Sequence, residues 1–443
     1  MIKKISFFTF GISMLLSMVL LSSCDKEYLN PSAASVPVVT TNADALMTLA
    51  AGLQNRFTVG RQSPLYSGVT GGAYSVFAIK TIVVSNNNEF ELELGKGSIS
   101  PANSVISQLW SQSLLTRTEA ETILENLSVA TDPTDRVGLK AYASIFYALS
   151  MGTLSQFFEQ IPLEKSFNAV FSPRVKALEK AIAVLESADA DLATTNPSAK
   201  FNSKVPAGID VKNTVKALLA RYYNIHSMIT GTYNSTSGTK AIGFAQAASL
   251  IVKSEFRFSV GTPNPVGNIN FLGTVYGAVD STLGLRNGQA PSPASSDPRV
   301  GFYISRTGAN YPFKGFAAAQ ATSYPVYLPG EMLLIVAENQ ARQSNFVPAK
   351  TALDAVRTKT TDAYLIGANQ APYSGPLTTT DLLNDIYKQR RLEMYLSGQE
   401  LEDSRRFNRI APNATGEERN RNFYPYPLVE RQNNTNTPAD PAI

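Results

Sequence analysis

The sequence predicts a mainly α-helical fold, in which tetratricopeptide-like helix pairs pack against a loop-rich half that holds a few short strands. Apolar residues recur at helical spacing in several long segments, most cleanly over residues 175–192. Residues 135–158 are rich in alanine, and small side chains let neighbouring helices approach closely, as in tetratricopeptide repeats. Residues 57–100 and 255–329 lack this periodicity and are rich in glycine, proline and asparagine, so we expect irregular, ligand-side loops there.

The composition is that of a globular protein with a large core. The chain has 443 residues, of which 44% are hydrophobic and 17% charged, and no linker-like change of composition divides residues 42–443, so one domain is expected. The net charge of +4 is too small to indicate a nucleic-acid partner, because phosphate binding needs concentrated basic surface. A single cysteine excludes an intrachain disulfide. With the single histidine, it argues against cysteine–histidine catalysis and multi-histidine metal sites.

Residues 1–23 have the organisation of a bacterial export signal. Lys3 and Lys4 precede an apolar stretch, residues 7–21, which is shorter than the roughly 20 apolar residues that a membrane span needs. The leader ends in Leu-Ser-Ser and is followed by cysteine, which resembles a lipobox and predicts cleavage before Cys24 and lipidation of its thiol. The alternative is a free thiol in a plain secretory leader. Residues 24–41 contain small residues and proline and are expected to form an extended, lipidated tether.

Helices are predicted in order along the rest of the chain. They cover residues 42–56, 110–127, 135–158, 175–192, 212–230, 241–254, 331–343, 347–358 and 381–396. Trp110 opens the second of them and is interpreted as a core anchor in preference to a sugar-stacking ring. His226 is interpreted as structural, because no nucleophile motif such as G-x-S-x-G accompanies it. Short strands are predicted at residues 81–84, 90–94 and 300–304.

The two irregular regions supply the candidate ligand-binding residues. Sugars present apolar C–H faces and hydroxyl rims, so a binding surface needs aromatic rings beside polar side chains on loops over a rigid scaffold. The candidates are Tyr66, Tyr74 and Asn87 in the first region and Tyr276, Tyr303 and Tyr311 in the second. The alternative for any one tyrosine is loop packing with its hydroxyl bonded inside the protein. The sequence has no P-loop, dinucleotide-binding or HExxH motif, so no catalytic residue, metal ligand or cofactor is assigned.

Residues 381–410 resemble the C-terminal motif of the SusD/RagB family, the surface nutrient-binding lipoproteins of Bacteroidetes. The matching residues are Arg390, Arg391, Glu393, Gly398, Asp403, Arg405, Arg406 and Phe407. The departures from the motif are Gln389, Ser397, Glu400 and Glu402. Weaker similarities to other motifs of the family occur along the chain, in the same order as in the family. They run from the lipobox, through the helix that begins at Trp110, to the closing residues 422–427.

The resemblance implies a SusD-like fold and a lipid-anchored protein on the surface of the outer membrane. It implies that the protein binds oligosaccharides without cleaving them and delivers them to a TonB-dependent SusC-like transporter. RagB-like members of the family handle peptides instead, and the presence of only one tryptophan keeps that alternative open. A surface glycan hydrolase or adhesin is a third hypothesis.

The charged residues of the same stretch are predicted to have a structural role. Acids and bases follow each other closely between residues 389 and 409, and such a segment is stable against the protein body only if the charges pair. We expect Glu393, Asp403, Arg405 and Arg406 to form a clamp that closes the C-terminal helices on the scaffold.

Overall fold

A computed structural model describes residues 40–83, 85, 87–267, 276–278, 281–285, 292–305 and 311–443, and for residues 276–278 only the backbone is described. The predicted signal peptide, Cys24 and all but the end of the predicted tether lie outside these residues. The helices of the described part are α1 (Ala43–Thr58), α2 (Pro64–Ser75), α3 (Asn87–Leu94), α4 (Ser104–Glu125), α5 (Pro133–Phe157), α6 (Arg174–Leu192), α7 (Ala199–Lys204), α8 (Val211–His226), α9 (Ser235–Ala247), α10 (Pro298–Tyr303), α11 (Pro329–Arg342), α12 (Phe346–Arg357), α13 (Thr379–Glu393), α14 (Glu400–Arg406) and α15 (Leu428–Asn433). The strands are β1 (Ile79–Thr81), β2 (Gln160–Pro162), β3 (Phe171–Pro173), β4 (Glu255–Phe256), β5 (Tyr276–Ala278) and β6 (Tyr324–Pro325).

The long helices pack side by side with their neighbours along the chain, which confirms the predicted helix-pair architecture. Helix α5 packs between α4 and α6, α8 packs on α9, and α11 packs on α12. Contacts of α6 with α8, and of α9 with α11, join these pairs into one continuous array. The close approach depends on small residues, because a Cβ added at Gly152 of α5 would lie 2.3 Å from the ring of Tyr222 on α8.

The described part of the chain contains three separate antiparallel pairs of strands, β1–β5, β2–β3 and β4–β6. Two of the strand predictions were wrong. Residues 90–94 belong to helix α3, and residues 300–303 belong to helix α10, which begins at Pro298 behind an Asp297 cap. The region 57–100 is also less irregular than predicted, because it contains the whole of α2.

The predicted clamp forms, and it is buried. Asp403 accepts from Arg390 at 2.8 Å and pairs with Arg406, while Glu393 pairs with Arg299 at 3.4 Å. Arg405 pairs with Glu402 and donates to the backbone oxygen of Gln156 at 2.5 Å. The C-terminal motif is therefore bound to α5, α10 and the core by charge-assisted hydrogen bonds.

The segment 419–434, which we call the C-terminal strap, crosses the N-terminal helices. The side-chain amide of Asn420 donates to the carbonyl oxygen of Leu92 at 2.9 Å, and the hydroxyl of Tyr424 donates to that of Gly71 at 2.8 Å. Trp110 of α4 is buried and donates to Glu430 of the strap at 2.9 Å, so its interpretation as a core anchor is confirmed.

Candidate functional site

The two regions that were predicted to carry the ligand residues meet at strands β1 and β5. Ile79 pairs with Ala278 and Thr81 pairs with Tyr276, in antiparallel register. We call the described residues among 76–88, 276–285 and 303–314 the loop face. Loops that face solvent over a rigid scaffold are the usual place for binding residues, so the loop face is the candidate functional site.

The end of helix α13 holds the loop face from below. The Tyr395 hydroxyl donates to the carbonyl oxygen of Ala78 at 3.0 Å, and the Arg391 guanidinium donates to that of Leu283 at 3.0 Å. The hydroxyl of Tyr303 donates to the carbonyl oxygen of Glu393 at 2.6 Å, and the Tyr303 ring lies edge-on to Tyr395 with centroids 5.5 Å apart. Each of the three segments of the loop face is thus hydrogen-bonded to residues 391–395, at the buried end of α13 and just beyond it.

A second layer of buried polar contacts fixes strand β1 and helix α3. The Thr81 hydroxyl donates to the hydroxyl of Tyr74 at 3.1 Å, and burial raises the pKa of Tyr74 well above its ordinary value. The hydroxyl of Tyr66 donates to Glu89 at 3.3 Å, and Arg61 pairs with Glu89 at 2.5 Å. These bonds tie the start of the loop face to α2, so the loop positions are set by the core.

Three of the predicted ligand residues have side chains that are buried beneath the exposed surface of the loop face. Tyr66 and Tyr74 are 1% exposed and Tyr303 is 2% exposed, and each hydroxyl is bonded within the protein. Their predicted contact with ligand is therefore corrected to a supporting role. Packing with a satisfied hydroxyl, the alternative given for any tyrosine of these loops, is what the structure shows for all three.

The other three predicted residues remain candidates for ligand contact. Asn87 is exposed at the first residue of α3, and Tyr311 is half-buried with a left-handed φ of 41°. Tyr276 pairs with Thr81 through its backbone, and its side chain lies outside the description. Next to Tyr311, backbone bonds join Ile304 to Phe313 and Ser305 to Pro312.

A partly open cavity beside this layer is too small for a sugar. Its volume is about 80 Å³, room for a few water molecules. Tyr303 and Tyr324 line it together with Arg221 and Glu331. The two charged residues form a two-pronged pair, with N–O distances of 2.6 and 2.7 Å, so their hydrogen-bonding groups are already engaged.

The described residues contain no group of three or more histidine, cysteine, aspartate or glutamate side chains that could hold a metal ion. Among the described helices, none is both long enough and apolar enough to cross a membrane. His226 lies at the end of α8, with its Nδ1 2.9 Å from the hydroxyl of Ser237.

Comparison with known proteins identifies the architecture. Residues 257–440 match the model of the SusD family. Similar solved structures carry the same family name and span nearly the whole chain. A SusD superfamily protein from Bacteroides fragilis has 15% identity and a TM-score of 0.67, covering 90% of this chain and 99% of its own. Residues 257–440 thus carry the similarity to the SusD family, and the chain shares the fold of these SusD-family structures.

Other SusD-family structures agree in fold. A SusD homolog from Bacteroides thetaiotaomicron has 14% identity and a TM-score of 0.66, covering 90% of this chain and 98% of its own. A SusD-like carbohydrate binding protein from Bacteroides fragilis has 14% identity and a TM-score of 0.65, covering 90% of this chain and 100% of its own. No curated protein matches the sequence.

The supporting residues of this site were missed by the sequence reasoning, although a signal was present. Tyr387, Arg391 and Tyr395 recur at four-residue intervals, the spacing that places side chains on one face of a helix. An arginine in the middle of such a face indicates a buried cation that needs an acceptor. In the structure, that acceptor is the backbone of Leu283 in the loop face.

Proposed function

We propose that this protein is a cell-surface lipoprotein that binds oligosaccharides at the loop face without cleaving them and delivers them to a TonB-dependent SusC-like transporter. The observation that carries the proposal is the support of the loop face by helix α13 and the residues just after it, through Tyr395 to Ala78 and Arg391 to Leu283. A rigid platform lowers the entropy that binding would otherwise cost. One similar structure is described as a carbohydrate binding protein, which supports the choice of ligand.

The chemistry of the loop face suits a sugar. The exposed amide of Asn87 can both donate to and accept from hydroxyl groups, and the half-buried ring of Tyr311 can cover an apolar C–H face. Binding without cleavage requires no positioned acid and base, only a surface that matches the sugar.

Calorimetry against a panel of oligosaccharides and a panel of peptides tests the ligand class. We expect heat with at least one oligosaccharide, and a loss of about tenfold in affinity for Tyr311→Ala, since an aromatic contact of this kind contributes about 0.5–1.5 kcal/mol beyond its buried area. Asn87→Ala is compared with Asn55→Ala, because Asn55 is also exposed and lies on helix α1, outside the loop face. Silence with every oligosaccharide, together with heat from peptides, would refute the proposal.

Peptide capture is the second candidate, and one observation favours it. The only tryptophan of the chain, Trp110, is 1% exposed and bonded to Glu430, so no tryptophan side chain is available for stacking on a sugar. The peptide panel decides between the two candidates. Hydrolysis of an oligosaccharide by the pure protein would support the third hypothesis, a surface enzyme.

Anchoring and delivery need separate tests. With Cys24 lipidated, the protein is expected in the outer-membrane fraction and accessible to protease on intact cells, and Cys24→Ser is expected to release it. Mild detergent extracts are expected to contain the protein together with a TonB-dependent barrel. Recovery of the wild-type protein alone from such extracts would contradict the proposed partner.

A further inference from the structure

An aromatic side chain is presented to solvent by the loop between strands β2 and β3. Phe167 is 87% exposed and Val170 is 71% exposed. Phe167 is the only exposed phenylalanine or tryptophan among the residues whose side chains the structure describes. An exposed aromatic ring gains free energy when a ligand covers it, so Phe167 can serve as a stacking surface.

The C-terminal strap holds this loop in place on both sides of its backbone. Asn168 has a left-handed φ of 53°, and its side-chain oxygen accepts from the backbone N–H of Thr435 at 3.0 Å. The side-chain amide of Asn436, just beyond the strap, donates to the carbonyl oxygen of Asn168 at 2.6 Å, and that of Asn434 donates to Ala169 at 3.0 Å. Phe167 is therefore displayed by a fixed backbone.

A groove of about 290 Å³ lies beside the ring, which approaches the roughly 300–1,000 Å³ of known ligand sites. Asn168, Asn433 and Asn434 contribute to its walls, and Arg117, Lys165, Glu164 and Glu430 also line it. Charges of both signs are present, so the groove does not favour an anionic or a cationic ligand. Arg117 is 3% exposed and its Nε has no hydrogen-bond partner, although Glu121 lies 3.6 Å away.

We infer that this groove, which we call the Phe167 groove, is a second carbohydrate-binding site for a neutral oligosaccharide, separate from the loop face. Phe167 would cover the apolar face of one sugar ring, and the amides and charged groups of the groove would bind its hydroxyls. The inference shares its ligand class with the proposed function but uses a different surface.

Trp110 is connected to this groove and can report binding there through its fluorescence. The indole N–H of Trp110 donates to one carboxylate oxygen of Glu430 at 2.9 Å, and the other oxygen accepts from Asn434 at 2.9 Å. Asn434 in turn holds the loop of Phe167 through Ala169. Because Trp110 is the only tryptophan, its emission is expected to change when the groove is filled, and not when the loop face is filled.

The test titrates the full mature chain with neutral malto-, cello-, xylo- and manno-oligosaccharides, following both binding heat and Trp110 emission. We expect at least one of them to change the emission, and expect Phe167→Ala and Phe167→Leu to weaken that response about tenfold while Phe167→Tyr retains it. Ile251→Ala is the matched control, because Ile251 is 85% exposed on a distant turn. Melting temperatures should stay unchanged, since exposed substitutions have small effects.

The outcomes separate the groove from the proposed function. One outcome would refute binding at the groove while supporting the loop face. In it, the binding heat is lost in Tyr311→Ala, Trp110 emission stays constant, and Phe167→Ala behaves like wild type. An emission change abolished by Phe167→Ala and unaffected by Tyr311→Ala supports the groove even if the loop face binds nothing. Neither heat nor emission change with any oligosaccharide overturns both, and a response to peptides that requires Phe167 overturns the assignment of ligand.

Discussion

Replacement of Arg406 by alanine should destabilise the whole fold while leaving ligand affinity unchanged. Arg406 is buried, pairs with Glu338 and Asp403, and stacks on Phe407 with 4.9 Å between its guanidinium carbon and the ring centroid. Burial alone would raise the pKa of Glu338. Arg406, with Arg342 and Arg390, outweighs that effect and lowers the pKa to about 2, so Glu338 stays charged near neutral pH.

The magnitude follows from the charge that the substitution leaves behind. Removing one partner of a buried ion pair costs about 3–5 kcal/mol, because the other charge is left uncompensated in the interior. Arg342 still lies 2.9 Å from Glu338, which places the loss at the lower end of that range. For 443 residues, an unfolding entropy of about 2.1 cal/mol/K per residue makes each 1 kcal/mol worth about 1 °C, so the melting temperature should fall by about 3–4 °C.

Chemical denaturation and thermal melting measure the effect, with Lys240→Ala as the control. The Lys240–Glu186 pair has the same kind of contact, 2.9 Å, but its side chains are 47% and 40% exposed. Such a pair contributes about 0–1 kcal/mol, so the control should melt within about 1 °C of wild type. An Arg406→Ala protein that melts like the control, or that loses ligand affinity at full stability, would show that the clamp serves binding and not the fold.

Two further substitutions, at Glu400 and Gly398, test the turn between helices α13 and α14. Burial raises the pKa of Glu400 from its ordinary 4.5 to about 7, although Arg391 opposes the rise. A carboxyl with a raised pKa contributes fully below pH 4.5, and its contribution of about 3 kcal/mol is lost as the pH rises through 7. Glu400→Gln should therefore flatten the fall in melting temperature between these pH values and melt above wild type beyond pH 7, and an unchanged pH profile would contradict the assignment. Gly398 has a φ of 80°, and a Cβ there would lie 3.3 Å from the backbone of Gly68, so Gly398→Ala should cost about 1–2 kcal/mol in denaturant titrations. Gly243→Ala, with nothing within 4 Å on an exposed helix face, should instead stabilise by about 0.5–1 kcal/mol, and equal effects at the two glycines would refute the backbone argument.

Helices with one buried and one exposed face could be predicted from the sequence. The prediction at residues 175–192 corresponds to α6, Arg174–Leu192, and that at 381–396 corresponds to α13, Thr379–Glu393. In both, polar and apolar residues separate at the helical period, so a local pattern contains the information.

Helix α2 could not be predicted in the same way, because it has no exposed face. All twelve of its residues, Pro64–Ser75, are buried. Its glycines provide close contacts instead of turns, since a Cβ at Gly71 would lie 2.9 Å from the hydroxyl of Tyr424. That partner comes from the C-terminal strap, and contacts at such sequence separation leave no periodic pattern.

The candidate site, like the fold, could be predicted only in part from the sequence. Composition placed tyrosines in the two regions that meet at the loop face, but it could not tell the buried side of a loop from the exposed side. Tyr303 is buried because its hydroxyl reaches the backbone of Glu393, and Tyr74 because it accepts from Thr81. Helix α10 was missed for a related reason. Asp297 and Pro298 suit both a turn and a helix start, and the neighbouring ion pair of Arg299 with Glu393 is a long-range contact.

The C-terminal strap has a consequence for how the molecule is made. The carbonyl groups of Gly71 and Leu92 receive their partners from residues 353 and 328 positions later in the chain. Because synthesis proceeds from the N-terminus, the last hydrogen bonds of α2 and α3 can form only after most of the polypeptide has been made. A chain cut short before the strap would keep the amphipathic helix pairs but lack this closure. The N-terminal half is therefore complete only after the C-terminal strap has been synthesised and has packed against it.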